Sequence, residues 1–133
     1  GAEYDYYTTT KGILEKVKTH AGDVDFEVPP ELLSLFSNRD FGRYAGEKGE
    51  MNVCFISNND ITGGNSGSAM FNARGELLGL AFDGNWEAMS SDILYEPKMQ
   101  RCIGVDVRYI LFMIEKYGKA GNLIRELKIV SGK

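Results

Sequence analysis

Short apolar runs of strand length and apolar residues at helical spacing take turns along this chain. Asn52 to Ser57, with Val53, Cys54, Phe55 and Ile56 in succession, reads as a strand. Ser68 to Asn72 and Glu76 to Phe82 read as two more, joined by Asn72-Ala73-Arg74-Gly75, a turn of hairpin length with glycine near its end. Arg101 to Asp106 gives another, and an aromatic and β-branched stretch, Tyr4 to Thr10, opens the chain. Ile13, Leu14 and Val17 share one face of a short helix, and Gly22 lies just past its end as a stop signal. Pro29-Pro30 introduces a second helix, Glu31 to Phe36, because proline is tolerated in a first turn where its missing N–H has no partner anyway. Val107, Ile110, Leu111, Ile114 and Tyr117 follow the i, i+3, i+4, i+7 rule of a third, which Gly118 ends. Leu123 to Val130 forms a last short element. Asn85 to Gln100, with Trp86 and Pro97, reads as a loop longer than most structureless connections, which favours a functional or docking role.

Composition narrows the classes of function. With 133 residues, 43% hydrophobic and 26% charged, the chain suits one globular domain with a real core. A net charge of −4 leaves no basic footprint for nucleic acid or an anionic membrane. No stretch approaches the roughly 20 apolar residues that span a bilayer; the longest, Val105 to Ile114, is broken by Asp106 and Arg108. No signal peptide is visible at the N-terminus. Cys54 and Cys102 are too few and too far apart for a zinc cluster, so no metal or cofactor is expected. Both cysteines sit in apolar, strand-like runs, and buried free thiols and a disulfide remain open alternatives. The texture divides the chain into an N-terminal segment with short helices, 1–50, and a β-rich region with a closing helix, 51–133.

The informative string is Asn59-Asp60-Ile61-Thr62-Gly63-Gly64-Asn65-Ser66-Gly67-Ser68. A serine hydroxyl is a poor nucleophile, and acyl transfer from it needs a nearby base and backbone N–H groups aimed at the developing oxyanion. A tight turn with glycines on both sides of Ser66 lets the N–H groups of Gly64 and Ser66 converge on one point; side chains at 63, 64 or 67 should crowd that approach. The plain alternative is a glycine-rich β-turn with an incidental serine. Strands flank the turn on both sides, unlike the Gly-x-Ser-x-Gly elbow between a strand and a helix.

Gly63 to Ser68 resembles the nucleophile loop of trypsin-like peptidases, especially the bacterial branch with Asn before the serine. The strand ending Gly79-Leu80-Ala81-Phe82-Asp83-Gly84 resembles their substrate-binding strand, and Ile103 to Lys116 resembles the close of their second barrel. The match is closer still to the S46 family of bacterial dipeptidyl-peptidases. Asn59 to Ser68, Ala81 to Glu87, Gln100 to Phe112, Tyr6-Tyr7-Thr8-Thr9 and Asp40-Phe41-Gly42-Arg43-Tyr44 all carry it, over essentially the whole chain. One departure is Ala69, where proline usually follows. The resemblance implies a mainly β fold: half of a chymotrypsin-like double β-barrel, its second barrel, with short N-terminal helices and a C-terminal helix whose apolar face lies on the barrel. It also implies a serine exopeptidase that releases dipeptides from free N-termini of oligopeptides. The first barrel and a helical domain would come from the remainder of the parent chain, the location would be periplasmic or cell-surface, and the assembly a homodimer. A triad needs His and Asp beside Ser66, and in this fold both precede the serine in the first barrel. His20, the chain's one histidine, reads as a surface residue at a helix end. This chain alone is therefore expected to be inactive and prone to self-association.

Three acidic or glycine positions bear on specificity. Asp60, six before Ser66, corresponds to the pocket floor of the trypsin-like fold, but within the S46-like motif it reads as structural, satisfied by neighbouring N–H groups. Phe82, Asp83 and Gly84 lie on the substrate strand. The resemblance implies that Asp83 pairs with the substrate's charged α-amine; a turn-capping aspartate is the plain alternative. Relatives selective for acidic side chains carry arginine at the position of Gly84, so glycine implies a neutral pocket and a hydrophobic or broad preference. A bacterial endopeptidase with the same loop, or a non-catalytic peptide-binding domain, would also fit the residues.

Overall fold

The computed structural model describes residues 5–90 and 98–130. Five strands, β1 (Tyr7–Thr9), β2 (Asn52–Ser57), β3 (Ala69–Phe71), β4 (Leu77–Gly84) and β5 (Cys102–Asp106), form one antiparallel sheet in the order β1-β2-β5-β4-β3. Among the described residues, four α-helices accompany them: α1 (Thr10–Thr19), α2 (Pro30–Ser37), α3 (Val107–Phe112) and α4 (Gly121–Arg125). The chain divides into two compact units. A sheet unit is drawn from Gly1–Thr8 and Val53–Val107, and a helical unit from Thr9–Asn52 and Arg108–Lys133.

In the sheet unit the last strand in sequence, β5, occupies the centre. It pairs with β2 (Phe55 opposite Gly104) and with β4 (Ala81 opposite Gly104). The β3–β4 hairpin closes as expected through 72–75. Asn72 Oδ1 accepts the N–H groups of Arg74 and Glu76, and Gly75 takes φ +76°, a conformation that side-chain-bearing residues rarely adopt. Met70, Ala81 and Cys102 are buried here, with Phe55 and Ile61 packed against them. Small residues make room for the Phe55 ring. A Cβ on Gly104 would lie 2.7 Å from both Phe55 Cζ and Met70 Sδ, and one on Gly79 only 2.1 Å from the Val105 carbonyl oxygen.

Both cysteines are free. The register sets Cys54 opposite Val105 and Cys102 opposite Ser57, so the two thiols do not face each other across the ladder. Burial pushes both thiols above their ordinary pKa.

The helical unit is packed around aromatic rings. Phe112 lies 5.9 Å from Phe36 and 6.1 Å from Phe41, centroid to centroid, and all three are buried. Pro30 opens α2 at its first turn. Around this core, Lys116 pairs with Asp40 (2.8 Å), Arg39 with Glu50 (2.7 Å), and the Tyr44 hydroxyl donates to Glu115.

Three expectations change. The closing helix is not one regular helix: after Phe112 it continues as a π-helical segment, Met113–Tyr117, with Gly118 donating to the Met113 carbonyl. Its buried residues are Leu111 and Phe112, and Phe112 packs on Phe36 and Phe41 of the helical unit rather than continuing the stripe through Ile114. The first strand is confined to Tyr7–Thr9, and Tyr4 lies outside the described residues. Within 85–100 a 3-10 turn, Trp86–Ser90, replaces structureless chain, while 91–97, with Pro97, lies outside the described residues.

Candidate active site

The segment between β2 and β3 is shaped by Asn65. Its Oδ1 accepts the Thr62 N–H (2.9 Å), its own N–H donates to the Thr62 carbonyl (3.2 Å), and its carbonyl accepts the Ser68 N–H (3.0 Å). The chain thus wraps around one asparagine, as a short polar side chain allows. Gly64 and Gly67 take φ +93° and +88°. Backbone conformation, rather than crowding, is what demands glycine there. A Cβ at Gly63, Gly64 or Gly67 would meet nothing within 4 Å, contrary to the expectation that side chains would obstruct the turn.

This turn is stitched to β4. Gly67 N–H donates to the Ala81 carbonyl (2.7 Å), and Ala81 N–H to the Ser68 carbonyl (2.8 Å). The exposed Ser66 hydroxyl donates to the Phe82 carbonyl at 3.2 Å. Phe82 is available for this because the β4–β5 ladder is irregular at that point: Ala81 pairs with Gly104 and Asp83 with Ile103, leaving Phe82 as the extra residue of a bulge. Bulges re-aim the groups they contain. Among the described residues, neither the Gly64 nor the Ser66 N–H donates a hydrogen bond.

Asp83 is exposed, and its Oδ1 accepts the Gly84 N–H at 2.8 Å. That is the contact a strand-end cap would make; it leaves the second carboxylate oxygen for another donor. Gly84 packs against the following turn, where an added Cβ would lie 2.8 Å from Ala88 Cβ. Asp60 is exposed, and among the described residues no N–H group satisfies its carboxylate, contrary to expectation. His20 is engaged locally. Its Nδ1 lies 2.9 Å from Thr19 Oγ1 and 3.2 Å from the Lys16 carbonyl, and its ring stacks on Phe26 at 4.1 Å. Among the described residues no cluster of three or more His, Cys, Asp or Glu could hold a metal ion, and no helix is long and apolar enough to cross a membrane. Asn65 as the pivot of the turn and Phe82 as a bulge were not predicted; the only sequence signal for either is a polar residue between glycines and a large apolar residue beside Asp83.

The peptidase S46 family model matches residues 1–129. The chain belongs to the peptidase S46 family. It is 57% identical over 132 residues to dipeptidyl-peptidase 7 of Porphyromonas endodontalis, covering 99% of this chain and 16% of that protein. An Asp/Glu-specific dipeptidyl-peptidase of Capnocytophaga gingivalis is 48% identical over 96% of the chain and 18% of its own length. Among solved structures, Porphyromonas endodontalis DPP11 in complex with the dipeptide Arg-Glu superposes with a TM-score of 0.88 at 42% identity, over 94% of this chain and 18% of that one. This S46 chain therefore spans less than a fifth of the length of the relatives it matches. Its sheet and helices correspond to one part of DPP11.

Proposed function

We propose that this chain carries the nucleophile and the substrate strand of a serine dipeptidyl-peptidase that releases dipeptides from free peptide N-termini. One observation carries the reading: Ser66 sits exposed on a positive-φ turn, hydrogen-bonded to the Phe82 carbonyl of the strand that continues into Asp83 and Gly84. A carbonyl is too weak a base to take the serine proton, so this bond parks the hydroxyl until a stronger acceptor arrives. In this reading the acceptor is a histidine oriented by an aspartate, both from the first barrel of the parent chain, with the present sheet contributing to the second.

Ser66 Oγ attacks the carbonyl of the substrate's second residue, and its proton passes to the histidine. The N–H groups of Gly64 and Ser66 receive the oxyanion. The histidine then protonates the leaving amine as the C–N bond breaks, and water releases the dipeptide from Ser66. Asp83 pairs with the charged α-amine and so fixes how far the cut lies from the N-terminus. Beside Gly84 the pocket is neutral, which suits a hydrophobic side chain. Dipeptidyl-peptidase and Asp/Glu-specific names among the relatives support the reaction class. The same reading makes the isolated chain inactive, and places the parent outside the cytoplasm as a homodimer.

The test is hydrolysis by the full-length parent of dipeptidyl reporters ending in Phe, Asp or Lys, each with a free or blocked N-terminus. Cleavage of the free Phe reporter, abolished by Ser66→Ala, is expected. Equal cleavage of blocked reporters would instead identify an endopeptidase, faster cleavage of the Asp reporter would overturn the neutral pocket, and preference for Lys would return Asp60 to the pocket floor.

A further inference from the structure

Asn85 follows β4 directly, one residue past Gly84 and two past Asp83. It is 7% exposed, and its backbone and side-chain polar groups are all engaged. Its N–H donates to the Arg101 carbonyl (3.0 Å), and its own carbonyl accepts the Ala88 N–H (2.9 Å). Its side chain spans the two limbs: Nδ2 donates to the Met99 carbonyl at 2.8 Å, and Oδ1 accepts the Arg101 N–H at 2.8 Å. The Arg101 guanidinium secures the incoming limb further, donating to the carbonyls of Gln100 (2.7 Å) and Lys98 (3.0 Å).

The β4–β5 ladder ends at Gly84 opposite Cys102, where unsupported strand ends fray. The Asn85 side chain extends the pairing beyond that point with one donor and one acceptor, a combination that a carboxamide supplies and a carboxylate does not. Through Ala88 it also holds the turn that walls Gly84, whose Cβ position lies 2.8 Å from Ala88 Cβ.

We propose that Asn85 is a positioning residue: it fixes the end of β4 so that Asp83 and Gly84 meet the substrate's amine and side chain in register. The inference rests on the dipeptidyl-peptidase reading above. Ser66 is tied to β4 farther upstream, through Ala81 and Phe82, so its reactivity does not depend on Asn85.

The experiment uses the full-length parent with Asn85→Ala and Asn85→Asp. It reads kcat and KM on the free Phe reporter, the rate at which a fluorophosphonate labels Ser66, and the melting temperature. For Asn85→Ala, KM should rise about 10- to 100-fold, as small misplacements of binding groups do, with kcat changed only a few-fold and Ser66 labelled at the wild-type rate. Asn85→Asp keeps the acceptor for the Arg101 N–H but sets a buried carboxylate oxygen against the Met99 carbonyl, so its KM should rise at least as much. An unchanged KM in both variants would overturn the proposal. So would a parallel loss of kcat, labelling and melting temperature, or failure of both variants to fold, since each marks a merely structural role. Wild-type parent that cleaves blocked and free reporters equally would remove the underlying reading instead, and this inference with it.

Discussion

The two units of this chain bury their interiors in opposite ways. In the helical unit, Phe36, Phe41 and Phe112 fill the core with rings, and charged pairs such as Lys116–Asp40 lie around them. In the sheet unit the buried cluster is Met70, Ala81 and Cys102, and a single large ring, Phe55, rests where Gly79 and Gly104 leave space. One core is limited by how much side chain it contains, the other by how closely backbone can approach. The nucleophile candidate belongs to the second. The turn that carries Ser66 is held to β4 by backbone hydrogen bonds through Gly67 and Ser68, at the spacing the sheet ladder sets.

Substitutions that change size should therefore act with opposite sign in the two units. The largest effect is expected from Phe112→Ala: removing a buried ring should cost about 3–5 kcal/mol, read from the urea midpoint of the chain. In the sheet unit it is the addition of a methyl group that should harm. Gly104→Ala, pressing on Phe55 and Met70, should cost about 1–3 kcal/mol, and Gly79→Ala more, because there the obstacle is the Val105 carbonyl and not a movable side chain. A neutral Gly104→Ala would break the comparison. The smallest effect concerns charge on the hairpin. Hydrogen bonds from Arg74, then from Asn72, hold the Glu76 carboxyl below the ordinary value of 4.5. A depressed folded-state pKa contributes stability that is present above 4.5 and lost as pH falls through the lowered value. Melting curves taken at descending acidic pH should show that loss in the wild type and a smaller one in Glu76→Gln.

Much of the fold was legible because its elements obey simple periods. β2 occupies the predicted Asn52–Ser57, α2 begins at its proline, and the hairpin turns on Asn72 and Gly75. Failures occurred where the period changes. The closing helix shifts to π-helical hydrogen bonding at Met113, which rotates later residues off a stripe computed at 3.6 per turn. Likewise β4 runs on to Gly84, as the resemblance implies, whereas the apolar pattern alone ends it at Phe82, because the bulge there adds a residue that strict alternation cannot register. At the candidate site, Ser66 and its glycines were visible as a motif. The reason for the glycines is not legible there, since positive φ leaves no mark in the sequence distinct from steric need. Asn85 was invisible because its value lies in partners 14 and 16 positions away.

Gly67, Ser66 and Ser68 each have a hydrogen bond to β4, at Ala81 or Phe82. In the proposed reading, then, the group that reacts is cast in one piece with the upstream part of the strand that selects, as far as Phe82. A change in what is cut is then expected from positions beyond this weld, such as 84 and 88, where a substitution leaves those hydrogen bonds untouched.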